Sequence, residues 1–170
     1  MTSRTNSGTS SSTAVRTATD ADWPAIWPIF DEIVRAGETY AFPIDLTIDT
    51  ARPWWMTDHV VVLEEEGAVL GSAKMGPNRP GRGAHVGTAS FMVDPAARGR
   101  GVGRRLGEHV VQWHRAAGFA GIQFNAVVET NTVAVRLWQD LGFEIVGTVP
   151  RAFDHPTHGR VGLHVMYLEL

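Results

Sequence analysis

The stretch from Phe91 to Leu106 constrains the fold more than any other part of the sequence. Phe91-Met92-Val93 has the apolar character of a strand end, and Asp94-Pro95 closes that strand. Further along, apolar residues recur at helical spacing and predict a helix that begins at Gly101. These residues are Val102, Leu106, Val110 and Trp113. The sequence therefore predicts a strand, a tight turn and a helix in direct succession.

The predicted turn combines glycine with arginine. Its glycines are Gly99, Gly101 and Gly103, and its arginines are Arg98, Arg100, Arg104 and Arg105. Glycine has no Cβ and lets a ligand approach the backbone closely. A helix N-terminus adds free N–H groups and a partial positive charge. The combination predicts a binding site for a phosphate-bearing ligand.

Two well-known phosphate patterns do not fit this turn. A P-loop needs Gly-Lys-Ser/Thr, whereas Gly103 is followed by Arg104-Arg105, and the dinucleotide fingerprint needs a third glycine where Arg104 stands. The sequence from Arg98 to Gly103 reads R-x-x-G-x-G. This pattern resembles the pyrophosphate loop of the GCN5-related N-acetyltransferase (GNAT) superfamily, which binds acetyl-coenzyme A. The alternative is a glycine-rich turn that only begins an amphipathic helix.

Length and composition limit the remaining choices. The 170 residues suffice for one domain, and the Ser/Thr-rich residues 1–13 predict a disordered tail before a single domain over residues 14–170. A net charge of −3 argues against a nucleic-acid-binding protein. The absence of cysteine excludes disulfides, Cys-ligated metals and thiol chemistry. No apolar run has the length of a membrane span and no secretory pattern opens the chain, so we expect a cytoplasmic protein without membrane partners.

Periodicity along the chain predicts seven strands and four helices. The strands are expected at residues 14–18, 59–63, 68–75, 84–93, 121–128, 143–149 and 161–168. The helices are expected at residues 20–37, 49–56, 101–117 and 132–141. Residues 76–83 and 150–160 are expected to be loops. Strands in runs followed by a β-α-β unit predict a mixed sheet with helices on its faces.

A second signature lies from Asn131 to Phe143, which reads N-T-V-A-V-R-L-W-Q-D-L-G-F. It is similar to the N-x-x-A-x-x-L-Y-x-x-L-G-F helix of the GNAT superfamily, which lies on the other side of the coenzyme. With the order of elements, the resemblance extends from about Ala14 to the C-terminus. It implies an α/β (α+β) fold with a mixed, mostly antiparallel central sheet of about seven strands and helices on both faces.

The resemblance also implies which residues bind acetyl-CoA. Met92 and Val93 match positions whose backbone pairs with the pantetheine arm, and the N–H of Val93 would reach the thioester carbonyl. The pyrophosphate would lie on Arg98, Gly99, Arg100, Gly101, Val102 and Gly103. Asn131 would contact the pantetheine region, and Ala134, Val135 and Trp138 would face the coenzyme. The two middle strands are expected to splay apart between Phe91 and Gln123, where the pantetheine enters.

The chemistry needs a group that takes a proton from the attacking amine and a donor for the tetrahedral oxyanion. Many relatives carry a Tyr that protonates the departing thiolate, but this chain has Trp138, whose indole N–H donates a hydrogen bond and not a proton. Either another group serves, or water protonates the thiolate. Candidate bases are Glu38, His85 and Glu129, with Tyr40 and His155 as pocket residues. Their alternatives are a helix end for Glu38, a solvated strand face for His85 and a surface turn for Glu129.

Two stretches bear on the acceptor. Asn125 lies on the strand beside the donor strand, and residues 37–40 would form the lip of the acceptor pocket. The combination is similar to phosphinothricin acetyltransferase-like enzymes and to acetyltransferases of proline analogues. By that similarity Asn125 would hold an amino acid's carboxylate or carbonyl and Asn131 would orient the donor. The alternative for Asn125 is a buried amide bonded to neighbouring backbone.

The first functional hypothesis is an N-acetyltransferase that moves an acetyl group from acetyl-CoA directly to the amine of a small molecule, with Asn131, Glu38, Tyr40 and Asn125 at the reacting centre. The alternatives are a protein or peptide N-acetyltransferase and a catalytically inactive acetyl-CoA-binding sensor. No metal is expected, because His155 and His158 have no carboxylate at ligand spacing. The resemblance also implies a homodimer through the C-terminal strands.

Overall fold

One seven-stranded sheet organises the computed structural model, which describes residues 13–57 and 59–170. Its strands are β1 (Thr13–Thr17), β2 (His59–Glu65), β3 (Ala68–Pro77), β4 (Val86–Val93), β5 (Gly121–Val128), β6 (Glu144–His155) and β7 (Gly159–Glu169). Their order in the sheet is β1-β2-β3-β4-β5-β7-β6. In this described sheet β4 and β5 are parallel and all other neighbours are antiparallel. The predicted fold class is confirmed.

Four α-helices cover the sheet, as predicted. They are α1 (Trp23–Ala36), α2 (Ile48–Trp55), α3 (Val102–Ala116) and α4 (Thr132–Asp140). Local signals in the sequence set their ends. Gly37 adopts φ = 66° and ends α1, and the hydroxyl of Thr47 accepts a hydrogen bond from the N–H of Thr50 at the start of α2.

Side chains alternate between the two faces of the sheet and build two cores. On one face Ala73, Met75 and Phe124 pack with α3 and α4. On the other face Val62 and Met92 pack with α1 and α2. Ser72 and Lys74 of β3 and the even-numbered residues of β4 therefore face α1 and α2, and this alternation decides which side chains meet at the site described below.

The parallel pair β4–β5 is joined only at its beginning in the described chain. Val86 pairs with Gly121 and Gly87 with Ile122, after which the two strands diverge. Residues 88–93 of β4 and 123–128 of β5 then border a wedge-shaped gap, which we call the opening. The predicted splay between the Phe91 strand and the Gln123 strand is confirmed.

The structure differs from the predicted elements most strongly at residues 150–160. This expected loop belongs to a long hairpin in which β6 continues to His155 and β7 begins at Gly159. Because β6 is an edge strand exposed along most of its length, its residues need no apolar alternation. The register shifts between Val149 and Phe153, and Arg151 there has φ = 54°. The irregularity further obscured the strand pattern.

Other predicted boundaries moved by a few residues. β4 begins at Val86 rather than Ala84, because Gly81–Gly83 form a 3₁₀ turn before it. Of the tail expected over residues 1–13, residues 1–12 lie outside the described residues. Thr13 belongs to β1, where it pairs with Glu65 and donates its hydroxyl hydrogen to the Glu65 carboxylate over 2.8 Å.

Candidate active site

The glycine-rich turn leads from β4 into the N-terminus of α3. Gly99 and Gly101 have φ values of 77° and 75°, a left-handed conformation that favours glycine. A Cβ on either residue would meet no heavy atom within 4 Å, so space for a ligand lies directly over this backbone. The first turn of α3 has no acidic residue, and Gly101 provides no side-chain cap for its N–H groups. The turn fits an anionic group such as a pyrophosphate.

Most of the arginines in this region have protein partners. Arg100 forms an ion pair with Glu65 of β2, Arg104 lies 2.7 Å from Asp140 of α4, and Arg105 donates to the carbonyl of Thr13. Hydrogen bonds from Thr13 and Arg100 lower the pKa of the Glu65 carboxylate. These arginines therefore connect the turn and α3 to the rest of the fold, whereas Arg98 is exposed beside the glycines.

The edge of β4 that borders the opening carries backbone groups directed away from β3. The hydroxyl of Tyr40 accepts a hydrogen bond from the N–H of Phe91 over 2.9 Å and donates one to its carbonyl over 2.7 Å. Since backbone groups alternate along an antiparallel strand, Val93 shares this edge with Phe91. The N–H of Asp94 donates to the carbonyl of Leu70 of β3 over 2.9 Å, and by the same alternation Met92 directs its backbone groups toward β3. The expectation that the backbone of Met92 binds the pantetheine is therefore corrected. Because Tyr40 already holds the N–H and the carbonyl of Phe91, Val93 provides the backbone groups that this edge offers to a ligand.

The second signature forms the N-terminal part of α4, on the far side of the opening. The side-chain oxygen of Asn131 caps α4 by accepting from the N–H of Ala134 over 3.3 Å. Ala134 and Val135 are partly buried against the core shared with α3. The two helices approach closely, because a Cβ on Gly107 would lie 2.6 Å from a methyl group of Leu141.

Trp138, which was expected to face the coenzyme, is buried in the core of the structure. Its side chain is 6% exposed, and its ring centroid lies 4.5 Å from that of Phe91 and 5.0 Å from that of Phe124. These three rings join β4, β5 and α4 on the α3/α4 face of the opening. Trp138 therefore contributes to the core between the diverging strands.

On the opposite face, polar side chains flank the opening. We call this set the polar floor, and its members are Lys74 within β3, Asn78 directly after β3, Thr88 and Ser90 of β4, and Gln123 and Asn125 of β5. The amide of Gln123 donates to Asn125 over 2.9 Å, and that of Asn125 donates to Asn78 over 2.7 Å. Asn125 is exposed and bonded to side chains, so the alternative of a buried amide bonded to backbone is wrong.

Aromatic side chains from the α1–α2 region stand over the polar floor. This aromatic collar consists of Tyr40, Phe42, Trp54 and Trp55. The ring centroids of Tyr40 and Phe42 are 5.0 Å apart, and Tyr40 meets Trp55 edge-on at 6.2 Å. Beside the collar lies a cleft of about 210 Å³ whose lining includes Thr57, Lys74, Thr88 and Ser90. Residues 37–40 thus adjoin the opening through Tyr40.

Known proteins share this arrangement. Residues 23–143 match the model of the acetyltransferase (GNAT) family. The chain belongs to the GNAT family. It is 62% identical to a GCN5-related N-acetyltransferase from Kribbella flavida, whose structure aligns with a TM-score of 0.90 over 93% of this chain and 98% of that one.

Two further relatives of this GNAT protein have more specific names. An L-methionine sulfoximine/L-methionine sulfone acetyltransferase from Pseudomonas aeruginosa is 32% identical over 141 residues, which cover 77% of this chain and 80% of the relative. A GNAT superfamily phosphinothricin acetyltransferase from Sinorhizobium meliloti, solved in complex with acetyl-CoA, is 25% identical with a TM-score of 0.81. That match covers 93% of this chain and 88% of the other.

The candidate proton acceptors of this GNAT protein lie in different surroundings. Glu38 is exposed at the end of α1, where Pro156 of the β6–β7 turn lies 3.9 Å from the place of a Cβ on Gly37. Glu129 accepts a hydrogen bond from the N–H of Gly162 over 2.5 Å. His85 is exposed and precedes the residues that join β4 to β5, so it lies at the closed end of the opening. Of these three, Glu38 is the one that belongs to the lip, residues 37–40.

Tyr40 and His155 have fixed hydrogen-bonding roles. Burial of the phenol raises the pKa of Tyr40 above its ordinary value, so Tyr40 stays protonated at neutral pH and does not act as a base. His155 is buried, and its Nδ1 accepts from the N–H groups of Thr157 and His158 over 3.2 and 3.3 Å. Both residues hold backbone in place.

The sequence reasoning missed Lys74 and Ser90. A signal for them was present in the sequence, since polar residues occupy alternate positions in strands whose other face is apolar.

Among the described residues, no group of three His, Cys, Asp or Glu side chains is placed to hold a metal ion. In the same part of the chain, no helix has the length and apolar character needed to cross a membrane.

Proposed function

We propose that this protein is an N-acetyltransferase that moves an acetyl group from acetyl-CoA directly to the amine of a small molecule. One observation carries the proposal: β4 and β5 part after two residue pairs, and the opening lies beside the glycine-rich N-terminus of α3. The free edge of β4 in the opening can pair with an extended chain, and the N-terminus of α3 can bind an anion. Acetyl-CoA combines these chemistries and supplies an acetyl group activated as a thioester.

The proposed coenzyme contacts follow the geometry. Gly99, Gly101 and the first N–H groups of α3 would hold the pyrophosphate, with Arg98 adding charge. The backbone of Val93 would pair with the pantetheine, and its N–H would stabilise the oxyanion. Asn131, Ala134 and Val135 would border the pantetheine from α4, and Trp138 would close the opening beneath it.

The proposed proton path leads from the amine to solvent. Glu38 at the lip would take the proton, directly or through water. Tyr40 would position the edge of β4 rather than titrate, since both of its hydrogen bonds go to Phe91. Water would protonate the departing thiolate, because Trp138 is no acid. Direct transfer agrees with a chain that contains no cysteine to form an acyl-enzyme thioester.

The names of the relatives support a small acceptor. Methionine sulfoximine, methionine sulfone and phosphinothricin are all α-amino acids, and two proteins similar to this chain bear the names of enzymes that acetylate them. The cleft beside the aromatic collar has a volume of about 210 Å³, which accommodates a compact ligand better than a long peptide.

A thiol-release assay with acetyl-CoA tests the proposal. The panel contains free amino acids, methionine sulfoximine, phosphinothricin, proline analogues, polyamines and short peptides, and calorimetry measures acetyl-CoA binding in parallel. Release with small amines is the expected result. Preference for peptides would favour a protein acetyltransferase, and binding without release would favour a sensor. Absence of binding would overturn the assignment.

We also propose a homodimer through β6. Ile145, Val146 and Val149 on this edge strand are 38%, 69% and 52% exposed, and an apolar edge is suited to pairing with a second copy. Light scattering coupled to size exclusion should show twice the 18.5 kDa chain mass, and Val146→Glu should yield monomers. A monomeric wild-type protein would contradict this proposal.

A further inference from the structure

Lys74 is an unusual residue in both sequence and position. It is the only lysine of the 170-residue chain, whose other 14 basic side chains of the Lys/Arg type are all arginine. It lies in β3, is half-buried, and lines the cleft beside the aromatic collar. We propose that Lys74 binds the carboxylate of the acceptor, which makes the acceptor an α-amino acid or a close analogue. This inference rests on the proposed function.

The contacts of the Lys74 ammonium leave it without a negative partner among the described residues. It donates to the carbonyl of Trp54 over 2.7 Å and lies 5.7 and 5.9 Å from the ring centroids of Trp55 and Phe42. No carboxylate in the described part of the chain forms an ion pair with it. An ammonium has three donors, so one carbonyl leaves capacity for a carboxylate.

The surroundings strengthen an interaction with an anion. Burial lowers the pKa of Lys74, because the half-buried ammonium gives up part of its hydration. A carboxylate that enters the cleft would restore the lost solvation, and a charge-assisted hydrogen bond is stronger where water is scarce. The aromatic faces around the ammonium exclude water without neutralising it.

The register places Lys74 at a suitable distance from the reacting edge. Lys74 is paired with Ser90, and both side chains lie on the α1/α2 face. Neighbouring strands are about 4.8 Å apart, and Val93, which is paired with Gly71, lies three residues or about 10 Å along β4 from the level of Lys74. The long lysine side chain and the bound acceptor together would span the distance to the edge of β4 at Val93. An α-amino acid held through its carboxylate at Lys74 would direct its amine across β4 to that edge, where the thioester is proposed to lie.

A purely structural role for Lys74 makes a different prediction. The ammonium lies at the C-terminal end of α2, where a cation is favourable, and its cation–π contacts stabilise the aromatic collar. Loss of such a role would reduce stability and affect all acceptors equally. Selectivity for the acceptor carboxylate would not change, and this difference separates the two roles.

The experiment compares Lys74→Met, Lys74→Arg and the wild type on two substrates: the best amino acid of the panel and the corresponding amine without the carboxyl group. We expect kcat/KM of Lys74→Met for the amino acid to fall by about tenfold to a hundredfold, mainly through KM, with little change for the amine. Lys74→Arg should retain part of the preference. Arg115→Met, which removes an exposed charge at the end of α3, is the matched control and should change neither substrate.

A second readout uses the wild-type protein and its single lysine. In protein labelled with ¹⁵N at lysine side chains, one ammonium resonance should shift when the amino acid is added with free CoA, and should not shift with the amine. Circular dichroism and acetyl-CoA affinity establish that each variant is folded.

Each remaining outcome has a distinct meaning. Acetylation of amino acids with unchanged selectivity in folded Lys74→Met would overturn the inference and leave the proposed function intact. An equal loss of kcat for both substrates, with an altered pH profile, would make Lys74 a base and also overturn it. Absence of transfer from the wild type to any amine, with or without a carboxyl group, would overturn the proposed function itself.

Discussion

The two faces of the opening are built in different ways. The proposed coenzyme side consists of backbone groups from one continuous stretch, from the edge of β4 through the glycine turn into α3. The proposed acceptor side consists of side chains from β3, β4, β5 and the α1–α2 region, which are far apart in the sequence. A site made of backbone depends on local conformation and tolerates varied side chains around it. A site made of side chains changes with every strand that contributes to it, and this suits the part of an enzyme that selects its substrate.

The largest effect expected on the coenzyme side comes from Gly101→Val. Valine is strained at φ = 75°, and its side chain would occupy the space above the turn where the pyrophosphate is proposed to lie. Loss of one charge-assisted hydrogen bond should weaken acetyl-CoA binding at least about tenfold, and loss of two at least about a hundredfold. Calorimetry of the folded variant provides the measurement.

Gly118→Val is the matched control for Gly101→Val. Gly118 lies at the other end of α3 with φ = 81°, and a Cβ there also meets no heavy atom within 4 Å. The backbone strain is therefore comparable, at about 1–2 kcal/mol, but no ligand is expected nearby. Equal affinity loss in both variants would attribute the effect to strain and contradict the proposed pyrophosphate site.

Tyr40→Phe tests the point where the two sides meet. Without the hydroxyl, the N–H and carbonyl of Phe91 lose their partner, which should lower the free energy of unfolding by about 1–2 kcal/mol in a urea titration. The pH dependence of the transfer rate should be unchanged, because Tyr40 does not titrate near neutral pH. Loss of one limb of the pH–rate profile would instead identify Tyr40 as a proton-transfer group.

Asn131 variants separate a helix cap from a ligand contact. Asn131→Ala should destabilise the protein by about 1 kcal/mol, since α4 loses its cap, and should raise KM for acetyl-CoA. Asn131→Asp keeps a capping oxygen but loses the amide N–H, so it should recover stability without recovering KM. If Asp restores both, Asn131 acts through the helix alone.

The smallest expected effect concerns the ion pair of Arg16 and Asp22, which is remote from the opening and provides a baseline for the pH dependence of stability. Asp22 accepts hydrogen bonds from Arg16 and Thr19, and the Arg16 guanidinium lowers the pKa of the Asp22 carboxylate. Its stabilising contribution is complete above the unfolded pKa of about 3.9 and is lost as the pH falls below that value. Urea midpoints from pH 6 to pH 2 should decline less in Asp22→Asn, and an identical decline would exclude this pair as a source of acid sensitivity.

The contrast between the two faces also explains what the sequence could predict. Glycine spacing and a helical repeat follow the chain itself, so the turn, α3 and the signature at Asn131 were found directly. Whether Met92 or Val93 points its backbone toward the opening depends on strand pairing, and only the structure corrected Met92. Lys74 was overlooked because its significance arises from Ser90 and Trp54, which other elements bring to it. Residues 150–155, the second half of the exposed β6, were predicted to be a loop because they lack the apolar alternation by which a strand is recognised.

Two residue pairs hold β4 to β5, so the sheet consists mechanically of two half-sheets that share a short seam. A coenzyme that pairs with β4 would act as an inserted strand and extend this seam. Coenzyme binding and the stability of the folded sheet would then be thermodynamically linked. At a ligand concentration one hundred times Kd, such linkage adds about 2.7 kcal/mol to the free energy of unfolding. Amide hydrogen exchange along residues 88–93 and 123–128 should then slow together when acetyl-CoA is added, and any amide of β1 or β2 that exchanges only through global unfolding should slow by no more than this amount.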